Sequence, residues 1–155
     1  MPKIFFDQPL FLSSVDHTKT LAQRLGRQLK NGDIVTLEGP LGSGKTTFAR
    51  FLIQSLVQKP IDVTSPTFNL VQIYDTPTYP IWHFDLYRLK NEEELFETGF
   101  EEALSHGVLL IEWPCRAGSF VPENRLNLKF SIEQEHEHHV KLTPSGTWKT
   151  RVFNE

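Results

Sequence analysis

Four residues in the stretch TLEGPLGSGKTTFAR, residues 36–50, have the spacing of a phosphate grip. Gly39, Gly44, Lys45 and Thr46 fit the pattern G-x-x-x-x-G-K-[ST]. The loop Pro40, Leu41, Gly42, Ser43 and Gly44 is expected to wrap the phosphates, because glycine permits the unusual φ/ψ values that turn main-chain N–H groups inward. A helix starting near Lys45 adds the positive end of its dipole. Lys45 then reaches the β- and γ-phosphates, the Thr46 hydroxyl ligates Mg²⁺, and Thr47 donates to a more distal oxygen.

Such a loop needs an acid at a nearby strand end to organise the metal and its waters. Two residues qualify. Glu112 ends the apolar run VLLIE, where a carboxylate is costly to bury without a cation. Asp85 lies in HFDLYR, where His83, Asp85 and Tyr87 share one face of a strand and Trp82, Phe84 and Leu86 the other. Thr67 in SPTF is placed to sense the γ-phosphate as a switch residue. Trp113 is read two ways, as core filling or as a ring at the nucleotide's edge. Arg88 is the nearest candidate for offsetting transition-state charge, and it also suits a structural ion pair.

The elements that must position these groups are legible from periodicity and punctuation. KIFF, residues 3–6, reads as a short edge strand. SSVDHTKTLAQRLGRQLKNGD reads as a helix capped by Ser14 or Asp16, with Leu21, Leu25 and Leu29 as its buried stripe and Asn31-Gly32 as its stop. DIVTLEG is the strand before the loop. Residues 45–58 form a second helix, apolar round most of its circumference and therefore expected to be deeply buried, which Pro60 ends. TSPTFNLVQIYD reads as a proline loop and then an alternating strand, and IWHFDLYRL as a second alternating strand, its hairpin partner. NEEELFETGFEEALS holds one or two short helices, with Asn91 as a cap and Gly99 as a break, and its acidic run is expected to be solvated. VLLIE is a buried strand. RLNLKFSIE and HHVKLTP are two more strands joined by a charged turn, and SGTWKTRVFNE closes the chain as a short helix. The expected fold is a single α/β domain over residues 1–155: a three-layer, P-loop NTPase-like domain with a mixed β-sheet flanked by helices.

The totals agree with one domain and exclude several classes. The 155 residues are 39% hydrophobic and 23% charged, which suits one packed core rather than disorder. A formal net charge of −3 is a poor match to a direct grip on DNA or RNA. The single cysteine, Cys115, builds neither a disulfide nor a cysteine zinc site and is expected to be a bystander. His136, His138 and His139 fall in a charged turn without a consistent partner acid, so a solvated turn is expected there. No run approaches the ~20 apolar residues of a membrane helix, and the N-terminus does not read as a secretion signal. A cytoplasmic protein without membrane contact is expected.

Taken together, GPLGSGKTTFAR, SPTFNLVQIY, HFDLYRL and LIEWP, in this order over roughly residues 13–145, resemble the TsaE (YjeE) family of bacterial tRNA threonylcarbamoyladenosine biosynthesis ATPases. The loop alone is widespread; the other three motifs make the resemblance specific. It implies a cytoplasmic ATPase that uses ATP and Mg²⁺ and works with the TsaB–TsaD pair, which installs threonylcarbamoyl on adenosine 37 of tRNA, so that tRNA is met only through the complex. By motif, Lys45 and Thr46 become the phosphate and Mg²⁺ residues, Glu112 the second Mg²⁺-holding group, Thr67 the switch threonine, Asp85 the second acid and Trp113 the adjacent aromatic. The N-terminal dozen residues and the EQEHEHH turn match no family pattern, and the adenine contacts are assigned to no residue.

The alternative class is a small-molecule kinase, which usually carries an arginine-bearing lid. After the loop helix only Arg88, Arg116, Arg125 and Arg151 remain, without clustering. A GTP switch is disfavoured by the lack of N-K-x-D and of D-x-x-G after the loop. Hydrolysis is favoured, slow without a partner, with either Asp85 or Thr67 orienting the attacking water.

Overall fold

The computed structural model describes residues 3–151. Seven strands form one sheet: β1 (Pro9–Leu12), β2 (Ile34–Glu38), β3 (Val71–Tyr74), β4 (Ile81–Asp85), β5 (Val108–Glu112), β6 (Leu126–Ile132) and β7 (His138–Pro144). Their order across the sheet is β1-β7-β6-β2-β5-β4-β3. The central strands β6, β2, β5 and β4 run parallel, while β3, β7 and β1 are added antiparallel at the two sides. The sheet is mixed, as expected.

Helices cover both faces. α1 (Val15–Gln28) and α2 (Lys45–Val57) pack with Val35, Leu37, Leu110, Leu128 and Phe130 on one face. α3 (Glu92–Glu97) and α4 (Phe100–Ser105) pack with Ile34, Phe84, Leu109 and Ile111 on the other. Strand alternation fixes which acids meet the loop. In β5, Val108 and Leu110 face α1 and α2 while Leu109 and Ile111 face away, so Glu112 points to the α2 side. In β4, Trp82 and Phe84 face α3 and α4, so His83 and Asp85 share the face of Glu112. Asp85 lies in register with Glu112. The parallel strands therefore deliver two carboxylates side by side at their C-terminal ends, beside the start of α2, where ligands of open α/β sheets collect.

Local chemistry explains the element ends. Ser14 caps α1 by accepting from the His17 N–H at 3.2 Å, and Asn91 caps α3 by accepting from the Glu94 N–H at 2.9 Å. Gly99 separates α3 from α4 with φ +89°, and a Cβ there would come within 3.2 Å of the Trp82 ring.

Four expectations need correction. The edge strand is not KIFF but Pro9–Leu12, which pairs with β7; Ile4 and Phe6 instead pack against the core from an irregular segment. Proline suits the first position of an edge strand because no ladder donor is lost there. α1 stops at Gln28, before Asn31-Gly32, because that turn is tied elsewhere: the Asn31 side chain accepts from the Gly107 N–H at 2.7 Å and Asp33 accepts from the Lys30 N–H at 2.7 Å. α2 buries one face only, through Phe48, Ala49, Leu52 and Ile53, and leaves Phe51, Leu56 and Val57 half-buried. The expected closing helix is a 3₁₀ turn over Gly146–Thr150, and the rest of that stretch, residues 152–155, lies outside the described residues.

Candidate functional site

β2 runs straight into the glycine loop, and α2 begins at Lys45. Gly39 has φ +141°, and a Cβ on it would fall 2.5 Å from the Phe130 carbonyl oxygen of the neighbouring strand. Only a hydrogen fits. Gly44 takes φ 108° at the N-cap of α2, where no side chain caps the helix. The first N–H groups of α2 therefore lack a side-chain acceptor, and a helix end of this kind receives anions.

Lys45 is buried at 5% exposure. Its Nζ donates to the Gly39 carbonyl and, at 3.2 Å, to the Pro40 carbonyl, and it stands 3.9 Å from the centre of the Trp113 ring. Burial pulls its ammonium below the usual lysine range, opposed by the nearby Glu112, Asp85 and Cys115. An incoming phosphate offers this ammonium a better acceptor than two loop carbonyls.

Facing it is a chain of oxygens. Thr46 Oγ1 donates to Glu112 Oε1 at 3.1 Å. Glu112 Oε2 accepts from the His83 Nε2–H at 2.7 Å and lies 3.2 Å from the Ser65 hydroxyl, which also bonds Asp85 Oδ2. Asp85 further accepts from the Thr67 hydroxyl at 3.2 Å and from the Tyr87 N–H at 3.1 Å. Two buried carboxylates thus confront one ammonium, and the cluster has room for more positive charge.

Trp113 follows Glu112 with φ 58°, a left-handed backbone for a bulky residue. Its N–H donates to the Leu37 carbonyl at 3.2 Å, and its ring lies 4.9 Å from that of Tyr87. The bend sends Glu112 toward Thr46 and lays the indole beside Lys45. Trp113 is half-buried: it packs against the core on the α3–α4 side and also borders the cavity described next, so both readings of it stay open.

These groups line a cavity of about 290 Å³. The expected site residues border it except Gly39 and Pro40, which contribute their carbonyls to Lys45, and Arg88. Leu41, Gly42, Ser43, Gly44, Thr46 and Thr47 form one wall; Thr67, Asp85, Glu112 and Trp113 form the other. Arg88 is elsewhere, its guanidinium 4.5 Å from the Phe68 ring, and no arginine lines the cavity among the described residues.

Ser65 and His83 were not assigned to the site from sequence. His83 carried a signal, since it shares the strand face of Asp85. Ser65 carried none beyond its place in SPTF. The histidine turn is only partly solvated: His138 Nδ1 donates to the Ser43 carbonyl at 3.1 Å, and His138 borders the cavity. A second cavity of about 410 Å³ adjoins the first through Ser43, Gly44 and Thr47, between the start of α1 and residues 136–138. Phe11 enters it from β1, its ring stacked 5.1 Å from that of His139.

The donor set fits magnesium. It offers a hydroxyl and carboxylates, all hard oxygens, and no group of three or more metal-ligating His, Cys, Asp or Glu exists among the described residues. Magnesium suits such a sparse set because it keeps several waters and shares its shell with phosphates.

The chain is similar to several known proteins. The family model described as threonylcarbamoyl adenosine biosynthesis protein TsaE matches residues 12–141. The tRNA threonylcarbamoyladenosine biosynthesis protein TsaE of Rickettsia typhi is 50% identical over 102 residues, covering 66% of this chain and 71% of its own. The protein of the same name from Bacillus subtilis is 34% identical over 132 residues, covering 84% and 82%. The crystal structure of YdiB from Bacillus subtilis superposes with a TM-score of 0.77 at 26% identity, over 92% of this chain and 88% of that one.

Proposed function

We infer the function from one premise: this chain belongs to the TsaE family, whose members serve tRNA threonylcarbamoyladenosine biosynthesis. It acts as a Mg²⁺-dependent ATPase that supports the TsaB–TsaD complex in forming N6-threonylcarbamoyladenosine at position 37 of tRNA. The observation that carries this reading is the contact between the Thr46 hydroxyl and Glu112, at the end of a strand beside the Lys45 loop.

The loop amides and the start of α2 receive the phosphates, and Lys45 exchanges the Gly39 and Pro40 carbonyls for phosphate oxygens. Thr46 and Glu112 would hold Mg²⁺, which when bound neutralises charge on the β- and γ-phosphates. The base enters the adjoining cavity beside Phe11 and Thr18, between the start of α1 and residues 136–138. Asp85 and Thr67 act as a linked pair, since the Thr67 hydroxyl is bonded to Asp85. That pair orients a water whose oxygen attacks the γ-phosphorus. The bond from phosphorus to the bridging oxygen breaks, and ADP and inorganic phosphate leave. With no arginine on the cavity wall among the described residues, transition-state charge is poorly offset. Turnover is therefore slow until TsaB–TsaD completes the site, and the same absence disfavours the kinase class.

The net charge of −3 accords with meeting tRNA only through those partners. No helix among the described residues is long and apolar enough to cross a membrane, and the cytoplasm is the proposed location. Calorimetry tests the nucleotide, and co-purification with TsaB–TsaD in the presence and absence of ATP tests the partner. Mg-ATP uptake by the wild-type protein, with turnover abolished in Lys45→Ala, is expected. A folded wild-type protein that takes up no adenine nucleotide, or a Lys45→Ala variant that hydrolyses ATP at the wild-type rate, overturns the reading.

A further inference from the structure

His83 is the most enclosed polar side chain near the cavity, and the hydrolytic scheme above gives it no task. It sits on β4 with 0% exposure and does not line the cavity. Its Nε2 is 2.7 Å from Glu112 Oε2, and its Nδ1 is buried without a hydrogen-bond partner. The carboxylate oxygen is an acceptor, so Nε2 carries a proton and donates to it, while Nδ1 finds neither donor nor acceptor. A buried polar atom left unpartnered costs stability, and an apolar ring of similar volume would avoid that cost. The one return on placing histidine here is its bond to Glu112.

That bond differs from the carboxylate's other contacts. Thr46 touches Oε1, but Thr46 is itself a proposed ligand and must turn toward the ion. Ser65 approaches Oε2 at 3.2 Å from the irregular segment before β3, and its single proton is shared with Asp85. Among the described residues only His83 hydrogen-bonds the Glu112 carboxylate from a strand, β4 being paired in register with β5. It holds the oxygen remote from Thr46 and so leaves Oε1 aimed at the metal position. We propose that His83 is a positioning residue, fixing Glu112 in the orientation that binds Mg²⁺. This role rests on the function proposed above.

The test measures ADP affinity by calorimetry with Mg²⁺ and with chelator, in wild type, His83→Phe, His83→Gln and His83→Asn. Phenylalanine keeps the ring volume and removes the bond. Glutamine places an amide N–H near the Nε2 position, and asparagine places one nearer Nδ1. Loss of a partner behind a metal ligand typically lowers metal affinity about 10–100-fold. His83→Phe should lose affinity for Mg²⁺ on that scale while binding ADP in chelator like wild type. His83→Gln should recover to within about threefold of wild type, and His83→Asn should resemble phenylalanine. If His83→Phe does not fold, the glutamine–asparagine contrast carries the same comparison. Wild-type Mg²⁺ affinity in the phenylalanine variant, or equal loss in glutamine and asparagine, overturns the role alone. A wild-type protein that binds no nucleotide in either condition overturns the proposed function and this role with it.

Discussion

Replacing Gly39 with alanine asks how tightly the phosphate loop is moulded to the sheet. The new Cβ would lie 2.5 Å from the Phe130 carbonyl oxygen, 2.9 Å from Ser43 Oγ and 3.1 Å from Phe130 Cβ, on a backbone with φ +141°. The closest of these is main chain of β6, so no side-chain rotation relieves it. A non-glycine residue in so sparsely populated a region costs about 1–3 kcal/mol. Forcing extra volume into packed structure costs about 1–3 kcal/mol more. The sum is roughly 4 kcal/mol, or on the order of 12 °C in Tm for a domain of this size. Gly32→Ala supplies the comparison: φ there is +96°, but nothing lies within 4 Å of the added atom. Its strain of about 1–2 kcal/mol is partly offset by stiffening the unfolded chain, leaving roughly 1 kcal/mol and about 3 °C. Thermal unfolding without nucleotide, followed by circular dichroism, should separate the variants by about 9 °C. Melting of Gly39→Ala within about 3 °C of Gly32→Ala would show that the loop moves away from β6 without cost, and the moulded cradle would have to be abandoned.

Other outcomes follow from contacts farther round the molecule. Arg151 grips Asp33 with bonds of 2.7 and 2.6 Å and stacks 3.9 Å over Trp148; Arg151→Ala should cost about 2–3 kcal/mol by leaving a buried carboxylate short of its cation, read from the shift in urea midpoint. Burial, with Asp33 nearby, raises the Tyr79 phenol above its usual 10.0, so the unfolded chain loses that proton first; stability falls as pH rises above 10.0, and Tyr79→Phe should flatten that fall in alkaline denaturant titrations. Triphosphate binding should draw the Lys45 ammonium from the Trp113 ring and change the fluorescence of this tryptophan; an equal change in Lys45→Met would reject that motion.

The candidate site's residues are legible in sequence where local chemistry dictates their meeting and obscure where pairing does. The loop, Lys45 and Thr46 stand in one contiguous pattern, and Asp85 and Glu112 were readable because each ends a strand with a clear alternation or apolar run. Ser65 was not, because only the tertiary approach of its segment to β4 and β5 brings its hydroxyl to both acids. KIFF misled for a related reason: its apolar side chains suit either a strand or a lid on the core, and hydrogen bonding to β7 went to Pro9–Leu12 instead. The half-exposed α2 shows the same limit, since its apolar residues exceed what its buried face accepts and the surplus lies along the helix flanks.

Asp85 and Glu112 occupy matching rungs of neighbouring parallel strands, and the helices of the connection between those strands, α3 and α4, pack on the opposite face of the sheet. Descendants of this gene can therefore lengthen or shorten the crossover with little consequence for the acids. Gaining or losing one codon inside either strand would turn its carboxylate through to the far layer. Tolerance to indels should change abruptly at Ile81 and Val108, where each strand begins.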